Sequence, residues 1–498
     1  VHRTRSPHTF TAHVHRTRSP HTSTARPRVL ALRVPDRPLS HRVCGSPPQA
    51  RMYQEDEWLT ALAEGDERAI WRKHWFPHNY EITAFEAYFD MWVLTGNATY
   101  IRAVKGGWKM LRESFIHIGG SIALNEGSHG TNLSEGLWYP PKSYYLEGAP
   151  TATFQNATTL GHKTGETCGS VFWIKLNQRF HHHFPSDEGY VAEIERSLLN
   201  IGIANQAPTV GDPLAGIRSF ALLHGHKNYR QHISTCCEGQ GTRLHGSLPE
   251  YLFSLIYAAA GAGEVDAAAA AAAGGGAAAV AGVSVDIYAP ASIAFNVTSG
   301  RGALGQVTLT VSSSFPYANA NGALPVAVRI SIAPPSLAFQ LALRIPGWVA
   351  TPKLPILLNG DALSEAARGS YATFNRTWHN GDVLSLDLPM ALRATEYIGV
   401  NQVNGTRRWA YEFGPTLLAA RPTTPSAWDA TIDCLRVRGV DASEPAAWLM
   451  RGGSEDEPMR FVPSAAAAQN DVDFIPYFAV ADERMTVYPC YEERPSNT

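Results

Sequence analysis

Cysteine is scarce in this chain, with six in 498 residues, too few for the disulfide scaffolds of small secreted domains. Charge of one sign is lacking too. A net charge of −2 and a pI near 6.9 give no reason to expect nucleic acid or an anionic membrane as a partner. No apolar run reaches the roughly eighteen residues that span a bilayer, since the tract at 267–283 holds only alanine, glycine and a few valines. The opening residues lack a basic, apolar, small-residue leader.

What stands there instead is Val-His-Arg-Thr-Arg-Ser-Pro-His-Thr at 1–9, repeated at 14–22. Rich in Arg, His and Pro and without apolar period, residues 1–51 are expected to be disordered or a mistaken start of the coding sequence. From 52 to 260 the apolar period is helical. Ala84, Phe85, Tyr88, Phe89, Trp92 and Val93 form one stripe, stopped by Gly96-Asn97, and similar runs lie at 101–116, 170–181, 191–204 and 247–259. Consecutive helices with short joints predict an all-helical layer or toroid.

Residues 261–283 read as an Ala/Gly linker or insertion, because the glycines spoil an otherwise strong helix former. Thereafter the period falls to two. Segments 284–297, 305–313, 326–333, 338–345, 371–378 and 383–388 alternate apolar and polar residues, and Asn359-Gly360 and Asn380-Gly381 are hairpin signals. Residues 284–420 are therefore expected to be a β-sandwich, and the mixed segment 421–498 to complete the strand-rich half.

The chemistry concentrates where the few thiols do. Cys236 and Cys237 are adjacent in Thr-Cys-Cys-Glu-Gly, and Cys168 lies two residues after Glu166 in Gly-Glu-Thr-Cys-Gly-Ser. Adjacent thiols pair poorly with each other yet can face one ion. With a carboxylate, the three would make a tetrahedral thiolate site of the kind zinc favours, although this is no zinc-finger spacing and buried thiols are the plain alternative. A redox thiol switch finds little support, for no C-x-x-C or βαβ pattern accompanies the pair. Glu166 beside an activated sulfur has the two-group logic of retaining glycoside hydrolysis, with helix cap or solvated acid as its bland reading. His181-His182-His183 resembles a metal tag, but three consecutive side chains splay around a helix, so the run is expected to be solvated. Cys44, Cys434 and Cys490 are expected to be buried or incidental thiols, with a Cys434–Cys490 pair in an oxidising compartment as the alternative. Six Asn-X-Ser/Thr triplets, at Asn97, Asn132, Asn156, Asn296, Asn375 and Asn404, tilt the expectation toward secretory passage.

Taken in order, these islands resemble glycoside hydrolase family 127, the zinc-dependent β-L-arabinofuranosidase family. The resemblance covers about 74–260 and 284–490. It rests on His78 opening a helix, Gly119-Gly120, Gly165-Glu166-Thr167-Cys168 and Cys236-Cys237; further along, on Leu343-Arg344-Ile345-Pro346-Gly347-Trp348, Asn359-Gly360, Trp378-His379-Asn380-Gly381-Asp382, Leu388-Pro389-Met390 and Phe413-Gly414-Pro415. It implies an (α/α)₆-type helical toroid, incomplete at its amino-terminal end, followed by β-sandwich domains. Glu166 takes the place of the acid/base, Cys236 that of the zinc-bound nucleophile, and Cys168 and Cys237 those of thiolate ligands. Glu126 becomes the fourth zinc ligand, with Glu135 and Glu147 as rivals, and His78 contacts substrate. Phe220 stands where many relatives have a tyrosine. The implied partner is an arabinofuranosyl-type glycan, with neither nucleic acid nor membrane, and the reading leaves room for a homodimer. The alternative is an inactive member in which zinc staples a glycan-binding protein.

Overall fold

The computed structural model describes residues 10–12, 56–66, 78–114, 116, 118–121, 164–206, 216–217, 220–227, 235–258, 279–299, 302–397, 405–452, 457–481 and 483–492. It is a mixed α and β structure in which helices come first and strands dominate thereafter.

Among the described residues, six helices of nine residues or more carry the first half: α1 Asp56–Glu64, α2 His78–Thr95, α3 Ala98–Ser114, α4 Thr167–His183, α5 Glu188–Ser197 and α6 Thr235–Gly246. The 3.6-residue stripe read from the sequence is the buried face. Ile82, Phe85 and Phe89 of α2 pack with Trp58 and Leu62 of α1, Val104 and Leu111 of α3, and Trp173 and Phe180 of α4. The close approach of α1, α2 and α3 explains two glycines in mid-helix, where glycine is otherwise unfavourable. A Cβ on Gly106 would lie 1.9 Å from the Leu62 carbonyl oxygen, and one on Gly107 2.4 Å from the Phe85 ring.

The expected helix at 247–259 is cut short. Only Leu248–Leu252 is helical, and the chain then runs as a strand, Phe253–Tyr257, paired antiparallel with Val280–Val285. Burial there alternates from Phe253 to Tyr257, a two-residue period that a helix cannot satisfy. These two strands join Ser336–Ile345 and Ser370–His379 in a four-stranded sheet. A seven-stranded sheet runs in the order 10–12, 291–299, 302–313, 323–333, 383–389, 353–358 and 361–367. Residues 10–12 of the repeat-bearing opening thus lie parallel to Ala291–Ile293. Side chains of both sheets share one core, with Val283, Leu341 and Leu343 meeting Val307, Leu309, Val328, Ile330 and Leu384.

Asn359-Gly360 is the hairpin its sequence announces, both residues at positive φ (54° and 91°) between Lys353–Leu358 and Asp361–Ala367. Asn380-Gly381 is a turn of another kind. It carries the chain from the edge of the four-stranded sheet into the seven-stranded one, so its flanking strands never pair. A third, eleven-stranded sheet is built from 392–397, the strands beyond 405 and His224–His226, and Cys434 and Cys490 are joined there by a disulfide.

Between the helices and the strands sits a buried charge network. Arg344 is fully enclosed; its Nε donates to Glu188 Oε1 at 2.7 Å and its terminal nitrogens to Glu195 Oε2 at 3.0 Å and the Asp286 carbonyl at 3.1 Å. Trp348 Nε1 and the Gly347 amide reach the same two carboxylates at 2.8 and 3.3 Å. Glu188 and Glu195, two turns apart on α5, share one face of it. The Arg-Ile-Pro-Gly-Trp island is therefore an anchor between the two halves.

Of the three histidines, His182 is exposed and His183 leans on Phe89 and Trp92. His181 departs from the solvated expectation: it is buried, with Nε2 3.3 Å from Asp286 Oδ2. The strand-rich half covers that side of α4, which the helix alone could not reveal.

Candidate functional site

Two helix beginnings meet at the thiols. Cys168 is the second residue of α4, and Cys236 and Cys237 are the second and third of α6. The first turn of a helix presents unsatisfied N–H groups and a partial positive charge, which favour thiolate over thiol. Successive helical residues point about 100° apart, so Cys237 is buried and Cys236 exposed. All three sulfurs nonetheless lie within 4.8 Å of one another, and Cys168 Sγ is 3.1 Å from Cys237 Sγ.

A tetrahedral ion with metal–sulfur bonds of about 2.3 Å holds its sulfurs about 3.8 Å apart, so the cluster has the dimensions of a metal site. Its electrostatics agree. The hydrogen bond to Cys237, burial, and the neighbouring Cys237, Glu166 and Cys236 all push the Cys168 thiol well above the ordinary thiol range. Three sulfurs and a carboxylate this close cannot all ionise by themselves, whereas a divalent cation would reverse that balance. The donor set fits a thiolate-preferring ion.

Glu166 occupies the N-cap position of α4, in extended conformation, but its side chain makes no capping hydrogen bond. It is 1 % exposed, and Oε1 lies 4.0 Å from Cys237 Sγ. Neither bland reading holds: Glu166 is neither a side-chain cap nor a solvated acid. The backbone that aims it belongs to a two-stranded ribbon, Thr164–Glu166 against Phe220–Leu222, with Glu166 opposite Phe220. Ser121 Oγ donates to the Glu166 carbonyl at 2.9 Å, and Asn205 Nδ2 donates to Thr167 Oγ1 at 2.7 Å.

Glu166, Cys168, Cys236 and Cys237 are thus brought together from residues seventy apart in sequence. Glu126, Glu135 and Glu147 lie outside the described residues. His78 opens α2, but its side chain, like that of Phe220, also lies outside them. Ser121, Thr167 and Asn205 went unseen in the sequence. The one local signal was Ser121 directly after Gly119-Gly120; Asn205 had none, because its partner is 38 residues away.

Residues 50–250 match the family model described as beta-L-arabinofuranosidase, GH127 catalytic domain, and residues 282–390 the one described as beta-L-arabinofuranosidase, GH127 middle domain. The chain is similar in fold to Ara127N-Se, a GH127 beta-L-arabinofuranosidase from Geobacillus stearothermophilus T6, with TM-score 0.54 and 16 % identity over 83 % of this chain and 60 % of that one. A structure named only as a glycoside hydrolase gives TM-score 0.53 and 16 % identity over 83 % and 65 %. A GH127 beta-arabinofuranosidase gives 0.55 and 17 % over 82 % and 59 %. The chain therefore spans about three fifths of the length of the solved structures it resembles. No curated protein matches it.

Proposed function

The chain belongs to glycoside hydrolase family 127, and from that membership we propose that it is a retaining glycoside hydrolase acting on β-L-arabinofuranosyl groups of a glycan, with its helices arranged as a toroid and its strands as sandwich domains. The observation that carries the reading is the approach of Cys168, Cys236 and Cys237 to within 4.8 Å of one another beside Glu166.

Zinc is the proposed ion, held by the three sulfurs and one carboxylate; when bound it would keep the sulfurs ionised at neutral pH. Cys236, the exposed member, attacks the anomeric carbon. The carbon–sulfur bond forms as the carbon–oxygen bond to the leaving group breaks, and the departing oxygen takes the proton of a carboxylic acid. Water then attacks the same carbon from the face the leaving group vacated, giving its proton back to that carboxylate while the carbon–sulfur bond breaks. Two inversions amount to retention.

Glu166 is the proposed acid/base and Glu126 the proposed fourth ligand, with His78 bonding a sugar hydroxyl. One observation favours a second arrangement: a fully enclosed carboxylate 4.0 Å from a ligand sulfur is at the separation expected of two donors to one ion. In that arrangement Glu166 is the fourth ligand and the proton donor is one of the acids at 122–163. Glu166→Gln separates the two. As acid/base its loss should abolish turnover with zinc affinity, measured by chelator competition, unchanged; as ligand it should weaken zinc about 10-fold or more. Full turnover and full affinity would remove Glu166 from both roles.

For compartment we propose maturation under oxidising, secretory conditions. The buried Cys434–Cys490 disulfide supports this, as does the exposure of Asn97, Asn296 and Asn375, the triplet asparagines among the described residues. Protein secreted from a eukaryotic host should acquire heavy-oxygen aspartate at these positions when deglycosylated in labelled water. Unmodified asparagines together with reduced Cys434 and Cys490 would refute it.

A further inference from the structure

Helix α5 does not end as an α-helix. Leu198–Gly202 is one turn of π-helix, with the Ile203 amide bonded to the Leu198 carbonyl at 2.9 Å, and such turns insert an extra residue and shift the phase of the residues beyond them. Around it, one short segment places three buried polar side chains in three directions. Ser197 Oγ donates to the Gly120 carbonyl. Asn200 donates to the Pro415 carbonyl at 3.1 Å and accepts from the Leu417 amide at 2.9 Å, so it grips the strand-rich half. Asn205 donates to Thr167 Oγ1 at 2.7 Å. Ser197, Asn200 and Asn205 are each 0 % exposed.

The end at Thr167 matters because Thr167 is the residue between Glu166 and Cys168. Its hydroxyl is tied to Asn205, and the carbonyl of the preceding residue is held by Ser121 at 2.9 Å. Ser121 in turn comes directly after Gly120, which sits at φ +86° with the Ser197 backbone so close that a Cβ would meet its nitrogen at 2.9 Å. Beside the ribbon pairing, the backbone at Glu166 and the Thr167 side chain are thus held by residues that contribute no donor to the cluster.

We propose that Asn205 is a positioning residue. Through Thr167 it fixes the backbone that aims Glu166 and Cys168 at Cys237, and the π turn ties that aim to the Gly414-Pro415 corner through Asn200. The proposal rests on the reading of the three thiols as a metal-binding cluster.

The test uses zinc alone as probe, on the full chain, with Asn205→Leu, Thr167→Val, Thr167→Ser and the double variant Asn205→Leu/Thr167→Val. Zinc affinity is read by chelator competition. Loss of an outer hydrogen bond to a ligand-bearing segment typically weakens metal binding about 10- to 100-fold, and that fall is expected for Asn205→Leu and Thr167→Val. Thr167→Ser, which keeps the hydroxyl, should bind as the parent does. The double variant should be no worse than the weaker single one, because both substitutions remove the same contact. In metal-free reduced protein, maleimide labelling mapped by mass spectrometry should show Cys168 losing its protection in the two hydroxyl-breaking variants and keeping it in Thr167→Ser.

A lowered melting temperature with unchanged zinc affinity and unchanged Cys168 labelling would overturn the proposal and leave Asn205 an ordinary packing residue. Additive losses in the double variant would overturn it as well. Should Asn205→Leu fail to fold, the isosteric Thr167→Val against Thr167→Ser decides the matter. Should the parent bind no zinc, the metal reading fails, and the labelling comparison by itself upholds or rejects the positioning role.

Discussion

Cys236→Ala should abolish hydrolysis of an activated β-L-arabinofuranoside, with kcat/KM falling by about 10⁴-fold or more, the scale on which removing a covalent nucleophile acts. Cys236 is exposed at the start of α6, so the methyl group leaves no cavity and the variant should melt close to the parent. After exposure to the furanoside, intact-mass and peptide mapping should find one sugar on Cys236 of the parent and none on the variant. Hydrolysis at the parent rate by the alanine variant would remove Cys236 from the chemistry. Sugar affinity without cleavage in the parent would leave a glycan-binding protein. Cys237 is buried with its sulfur facing Cys168 and Glu166, so the proposed mechanism assigns the attack to Cys236.

The second large effect is on stability. Arg344→Met preserves volume but leaves Glu188 and Glu195 enclosed without their cation, and breaking a buried ion pair from one side costs about 3–5 kcal/mol. Burial already raises the Glu188 carboxyl above the ordinary carboxylate range against the opposing pull of Arg344, and losing Arg344 pushes it further up. Linkage sets the sign. A carboxyl whose folded pKa exceeds its unfolded value destabilises at neutral pH and sheds that penalty as protons bind. The difference in melting temperature between Arg344→Met and parent should therefore be largest near pH 7 and narrow toward pH 5. A variant that melts with the parent at pH 7, or a gap that widens in acid, would contradict the anchoring role.

Family 127 islands in the strand-rich half thus owe their chemistry to assembly. Arg344, Gly347 and Trp348 converge on two acids of α5, and Gly414-Pro415-Thr416-Leu417 meets Asn200. Both contacts join the halves of the chain.

Local physics was legible in the residues. The stripe of Phe85, Phe89 and their neighbours announced a helix and its buried face, because apolar spacing alone selects the period. The two-residue alternation after 284 announced strands, and Asn359-Gly360 its turn. The thiols stood out in the residues, but alone they read as readily as buried sulfurs, and Glu166 as a helix cap or solvated acid; it was the resemblance to family 127 that joined them into one site. Contacts across sequence distance were not legible. That 253–257 is a strand depended on Val280–Val285 lying alongside; that Asn380-Gly381 crosses between sheets depended on which strands its flanks join. His181 is buried because Asp286 and Tyr371 cover it. A single chain spells out what each segment prefers within a few turns, where its own side chains and backbone decide. It leaves unspoken which surfaces of those segments meet, because an acid on α5 becomes an anchor, and an asparagine after a π turn a strut, only when a partner far along the chain removes both from water.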